Sequence, residues 1–228
     1  MTKSQLRGRR RAVAPQDKSE RRAAIVAAAE GLIRKDPAAS FVVEDIARRA
    51  GLAKGTVYLY FRSREDVLLA VHDAQMQEMF AALEAVLAQP RVAAAAVRDA
   101  VLGFLKRRPE FFRLSTSCHG ALERSVSPAA TQAHRELVAA RLTSIGARIE
   151  QLYPGLQPGE GATLLKICYA MMLGLWQLSA SPLRQGAPAR RGAAREPEAL
   201  RIDFEQQIGE ALTDLWNSAV QRGQERLT

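Results

Sequence analysis

The chain has 228 residues, of which 47% are hydrophobic and 25% charged, a composition that suits a folded globular protein with a sizeable core. No uninterrupted apolar run approaches the roughly 20 residues needed to span a bilayer, and the N-terminal MTKSQLRGRRRAVAP has charge without an apolar segment behind it, so neither a membrane span nor a secretory signal is expected and the location read is cytoplasmic. The net charge of +9 is localised: residues 1–64 hold fifteen Lys and Arg against six Asp and Glu, whereas the remaining 164 residues hold eighteen of each sign.

A basic first quarter joined to a neutral remainder has the charge distribution of a phosphate-binding module with a partner domain. Cys118 and Cys168 lie fifty residues apart, which offers neither a metal spacing nor a disulfide framework.

Residues 1–16 carry Lys3, Arg7, Arg9, Arg10 and Arg11 without periodicity and read as a disordered basic arm. A helix is predicted from Asp17, with Glu20 three residues on as its capping partner, to about Lys35. Ile25, Ala28, Ala29, Leu32 and Ile33 form its apolar face. A second helix follows, with Val43, Ile46, Ala47 and Ala50 inward and Arg48 and Arg49 outward. Gly51 then supplies the left-handed position that closes a helix and turns the chain.

The next stretch, AKGTVYLYF, turns Val57 and Phe61 inward and Lys54, Gly55, Thr56, Tyr58, Leu59 and Tyr60 outward. Two helices joined by a tight glycine turn are the sequence form of a helix-turn-helix. Exposed tyrosines on so short a helix suit hydroxyl contacts to phosphate and ring contacts to a base methyl. Ser63 and Asp66 form a second capping box, with Arg64 beside the positive helix end, and the helix they start continues at three- and four-residue steps until Pro90.

From Asp17 to about Val71 the chain resembles the DNA-binding domain of the TetR family of bacterial transcriptional repressors. The resemblance lies in EDIARRAGLAKGTVYLYFRSREDVL, where glycine turn, KGTVY helix, aromatic end and helix cap occur in the family's order and spacing. It implies that Lys54, Gly55, Thr56, Tyr58 and Tyr60 face a DNA operator and that Arg64 holds phosphate. Two positions depart from the family: Val42 and Ala53 stand where threonine and serine are common, and both hydroxyls are lost as caps and phosphate contacts.

The implied fold class is all-α. A helix-turn-helix domain over residues 17–65 is followed by a helical effector-binding and dimerisation domain over 66–228. Helical patterns independently fall at roughly 91–107, 110–122, 129–152, 160–180 and 200–222, separated by prolines, with no alternating strand pattern. ATLLKICYAMMLGLWQLSA is apolar around nearly its whole circumference. IDFEQQIGEALTDLWNSAV carries Ile202, Ile208, Leu212, Leu215, Trp216 and Ala219 on one stripe, and these two segments are the candidates for a homodimer interface. Residues 181–199 form a basic loop rich in Pro, Gly and Ala.

Phe104, Phe111, Phe112, Cys118, His119, Tyr169, Met172 and Trp176 are the candidate lining of a pocket for a small, largely apolar effector. His119 and Glu123, four apart, are too few to make a metal site. No cofactor, nucleophile elbow, phosphate loop or dinucleotide fingerprint is read, so no enzyme is expected. The function expected is a homodimeric, ligand-responsive DNA-binding repressor. The alternatives are a DNA-organising or interaction protein of the same fold without an effector, and a small-molecule-binding protein with a vestigial DNA domain.

Overall fold

The computed structural model describes residues 15–35, 41–119, 125–179, 198 and 201–228. The N-terminal arm up to residue 14, the 181–199 loop apart from residue 198, and Glu123 lie outside them. Regular structure among the described residues is helical: α1 Pro15–Lys35, α2 Val43–Ala50, α3 Lys54–Tyr58, α4 Arg64–Leu87, α5 Ala94–Arg107, α6 Phe111–His119, α7 Pro128–Leu152, α8 Glu160–Ser179 and α9 Phe204–Glu225. The chain divides into two compact units between Val71 and His72, so α4 contributes its first eight residues to one unit and the rest to the other.

In the first unit Ile25, Ala28, Ala29 and Ile33 of α1 are buried, as are Val43, Ile46 and Ala47 of α2, Val57 of α3, and Phe61. Helix α1 starts two residues earlier than the capping pattern indicated. Pro15 explains this, because proline's fixed φ suits a first helical turn whose N–H groups have no partner inside the helix.

The second unit packs one apolar stripe from each of its helices into a single core. Met76, Met79, Phe80, Leu83 and Leu87 come from α4, Val97, Val101 and Phe104 from α5, and Phe111 and Phe112 from α6. Ile145 and Ile149 enter from α7, Leu164, Leu165, Cys168 and Met172 from α8, and Ile208, Leu212, Trp216 and Ala219 from α9. Thus the main α9 stripe read as a candidate subunit interface is buried within this one chain. Ile202 precedes the helix altogether, because Asp203 caps α9 by accepting the Gln206 N–H at 3.1 Å.

Two backbone crossings set the spacing of the last three helices. A Cβ on Gly161 of α8 would stand 2.2 Å from the carbonyl oxygen of Gly146 on α7, and one on Gly155 would stand 2.0 Å from that of Gly223 on α9. Only glycine fits either crossing. At the same end, Arg226 donates two hydrogen bonds, at 2.7 and 2.9 Å, to the Glu160 carboxylate that opens α8. Helix α8 is long and apolar enough to cross a membrane by composition. Its Gly161, Leu164, Leu165, Cys168 and Met172 are buried against neighbouring helices of the unit.

Candidate nucleic-acid interface and buried cavity

The turn between α2 and α3 is built by Gly51 at φ 66°, ψ 30°. The Leu52 N–H reaches back to Ala47 O at 2.9 Å and the Gly51 N–H to Arg48 O at 3.3 Å, the paired bonds that close a helix on a left-handed residue. Val42 caps α2 with backbone alone: valine has no acceptor, and only the reciprocal half of a capping box forms, the Val42 N–H donating to Asp45 Oδ2 at 3.0 Å. Ala53 likewise caps α3 without a side-chain hydrogen bond.

Burial of Val57 and Phe61 leaves the other side of α3 facing outward. Tyr58 is 46% and Leu59 79% exposed, Lys54 and Gly55 are exposed, and Thr56 and Tyr60 are half-buried. A Cβ added to Gly55 would meet no atom within 4 Å, so nothing in the fold itself requires glycine there. Lys54 is paired with Glu44 of α2, which raises its pKa through the hydrogen bond between them.

Arg64 is not splayed into solvent. Its guanidinium lies 4.8 Å above the Phe41 ring and its Nη1 is 3.4 Å from Glu65, so the charge is held at the start of α4. The cap expected there forms: Ser63 Oγ accepts the Asp66 N–H at 3.0 Å, while the buried Asp66 carboxylate accepts the Arg62 N–H at 3.1 Å.

The second unit holds a partly open cavity of about 100 Å³. Met76, Met79, Phe80 and Leu83 of α4 form one wall, Val97 and Val101 of α5 another, and Val138, Leu142, Leu165, Met172, Leu212 and Trp216 much of the remainder. His72, His134, Lys166, Cys168 and Tyr169 add polar atoms.

Of the eight residues read as pocket-forming, Tyr169 and Met172 border this cavity. Phe104 and Phe111 are fully buried and pack edge to face at 5.1 Å, as core. Phe112 and Trp176, 6.2 Å apart, flank a separate cleft of about 210 Å³ with Pro109 and Phe204. Cys118 is half-buried, and His119 ends α6.

Burial pushes the Cys118 thiol up to about 12, with the nearby Asp73 charge adding to the effect, and burial pushes Cys168 up to about 11. Both are therefore protonated at neutral pH, the state of an unreactive thiol. Sequence reasoning missed the α4 wall, although its stripe was visible, and missed His72 and His134 altogether.

A sequence model of the "Tetracyclin repressor-like, C-terminal domain" matches residues 73–221, and one of the "Bacterial regulatory proteins, tetR family" matches residues 25–71. The HTH-type transcriptional regulator EthR of Mycobacterium tuberculosis (strain ATCC 25618 / H37Rv) is 39% identical over 84 residues, which are 37% of this chain; the match spans 38% of the relative's length. Among solved structures, a protein of unknown function from Rhodococcus sp. RHA1 superposes with a TM-score of 0.55 at 20% identity, covering 87% of this chain and 94% of that one. A TetR family transcription regulator from Marinobacter aquaeolei VT8 superposes at 0.51 with 19% identity, covering 89% and 97%. These two show the shared fold. Both units, helix-turn-helix and helical remainder, are thus accounted for by one family, and the chain belongs to the TetR family of bacterial regulatory proteins.

Proposed function

We propose that this chain is a homodimeric DNA-binding transcriptional regulator, a repressor that leaves a near-palindromic operator when a small, largely apolar effector occupies the cavity of the second unit. The observation that carries the reading is the outward surface of α3, where Tyr58 and Leu59 stand exposed beside Lys54 and Gly55 on the basic quarter of the chain. Aromatic and hydroxyl groups at such a surface suit base edges and phosphate, and an uncluttered glycine lets backbone approach a groove closely. Lys54, Gly55, Thr56, Tyr58 and Tyr60 make these contacts, and Arg64 holds a phosphate at the start of α4. Such a regulator works in the cytoplasm, where the chromosome is.

Dimerisation is supported by α8. Ile167, Met171, Gly174, Leu175 and Leu178 recur at four- and three-residue steps and none is buried, with Ile167 48% and Leu178 69% exposed. An apolar stripe only partly covered by its own chain, with Met171 and Leu175 half-buried, suits a second copy. Two α3 helices related by a twofold axis reach successive major grooves roughly 34–36 Å apart. The named function of EthR, an HTH-type transcriptional regulator, accords with this reading.

The apolar cavity lining, with few polar atoms, favours an effector of matching character, contacted by Tyr169 and Met172. Phe104 and Phe111 belong to the core, and Phe112 and Trp176 border the separate cleft. Selection of bound sequences from random double-stranded DNA tests the reading. Enrichment of an inverted repeat is expected, and recovery of no preferred sequence overturns it.

A further inference from the structure

Helix α4 enters the second unit with His72 and Asp73 in succession, and α7 brings His134 against them from 61 residues further along the chain. His134 Nδ1 stands 2.5 Å from Asp73 Oδ1, and the His72 and His134 rings lie 5.8 Å apart, tilted by 48°. One donor atom from each of the three residues falls within 4.8 Å of the other two. His72 is buried, while the side chains of Asp73 and His134 are 19% and 20% exposed, so water reaches the group without surrounding it.

We propose that His72, Asp73 and His134 bind a divalent first-row transition-metal cation of the zinc class. Two imidazoles and one carboxylate are a donor set suited to such ions, and three protein ligands leave further coordination positions open. Bonds of about 2.0–2.2 Å set donors roughly 3–3.5 Å apart, so separations up to 4.8 Å close and the 2.5 Å His134–Asp73 contact opens, each by roughly an ångström or a little more.

Ser115 Oγ, 3.0 Å from His72 Nε2, anchors that ring in the way an outer partner orients a metal-bound histidine. The competing account is a plain Asp73–His134 ion pair clamping α7 to α4. In that account His72 is a core ring, stacked on Phe111 at 5.5 Å and bonded to Ser115, and it takes no part in the pair. Lys166, which lines the same cavity, is exposed, so its charge is solvated. His72 and His134 both line the cavity, and the cation therefore sits in its wall.

The proposal is independent of operator recognition, because the donors belong to the second unit, and it is tested without DNA. The full chain is treated with chelator, dialysed and titrated with Co²⁺ alone. Visible ligand-field absorption saturating at one ion per chain and displaced by Zn²⁺ is expected. Asp73→Asn and His134→Gln are each expected to weaken Co²⁺ binding at least about 100-fold with helical content unchanged, more than the loss of an outer-shell partner does. Absence of Co²⁺ binding by the native sequence at millimolar concentration overturns the site, and so does unchanged affinity in either variant. Should either variant unfold, the native sequence decides: a Zn²⁺-dependent rise in its Tm supports the site, and an unmoved Tm overturns it.

Discussion

Lys54, the first residue of α3, has its ammonium engaged by Glu44, a residue of α2 ten positions earlier. The pair is exposed, so it contributes little to folding, but it places a carboxylate where a phosphate would have to sit. Hydrogen bonding between them lowers the pKa of Glu44 and raises that of Lys54, so both stay charged across the physiological range.

If Lys54 contacts DNA, Glu44 competes with the backbone for it. Glu44→Gln is expected to tighten DNA binding and to steepen the dependence of log K on log salt by about one phosphate contact. The Lys54→Ala, Tyr58→Ala pair is expected to weaken binding at least about tenfold with helical content intact. Fluorescence anisotropy across a salt series measures both, and unchanged binding by the double variant removes α3 from the interface.

At the α7–α8 crossing the prediction concerns stability. Gly161→Ala places a methyl 2.2 Å from a backbone oxygen that has no side-chain torsion with which to withdraw. The helices must separate, and a loss of about 1–3 kcal/mol in urea unfolding is expected. Gly103→Ala is the contrasting case: within α5 its methyl would meet only Arg107 Nη1, at 3.6 Å, and a gain of about 0.5–1 kcal/mol is expected from helix propensity. Equal effects would mean that the crossing is looser than described.

Glu160 sets an acid limit. The Arg226 guanidinium, and after it the Gln157 N–H, hold its carboxyl at about 2 against an ordinary 4.5. A depressed carboxylate pKa stabilises the fold above the unfolded value, and the contribution is lost as pH falls from about 4.5 through about 2. Glu160→Gln is therefore expected to flatten the fall of Tm with pH across that window. The same slope in both proteins would show that other carboxylates govern the acid limb.

Much of the fold is visible in residue order because its signals are local. The helix stripes repeat every three or four residues, Gly51 marks the turn between Ile46 and Val57, and Ser63 announces α4. The cavity is not local. Helical spacing shows that Phe104, Phe111 and Phe112 face inward, but whether an inward ring meets another ring or an empty space depends on how far neighbouring helices stand apart.

That separation is set by features such as the Gly146–Gly161 contact, which no single stretch announces. In the same way Asp73 and His134, 61 residues apart, become neighbours only once α7 has docked on α4. Val42 and Ala53 stand out in the sequence as lost hydroxyls, and the backbone shows what remains: a carboxylate at Asp45 that supports α2, and no side-chain support for α3.

The two thiols give a chemical test of burial. With Cys118 held up to about 12 and Cys168 to about 11, alkylation of the folded chain at pH 8 is expected to be slower than that of the denatured chain by roughly two orders of magnitude or more. Since the thiols ionise more readily when unfolded, stability declines as pH rises above about 9. Mass spectrometry after timed iodoacetamide treatment measures the first, and equal rates would place Cys118 in contact with solvent.

Helix α3 has five residues, includes a glycine, lacks a side-chain cap and is pinned from one side by Val57. With so little packing on its outer side, hydrogen exchange of its amides is expected to report local opening rather than global stability. A molecule laid along its outer face supplies the missing second side. Protection of the amides from Lys54 to Tyr58 would then appear only in the bound state, making this short helix a structure completed by what it touches.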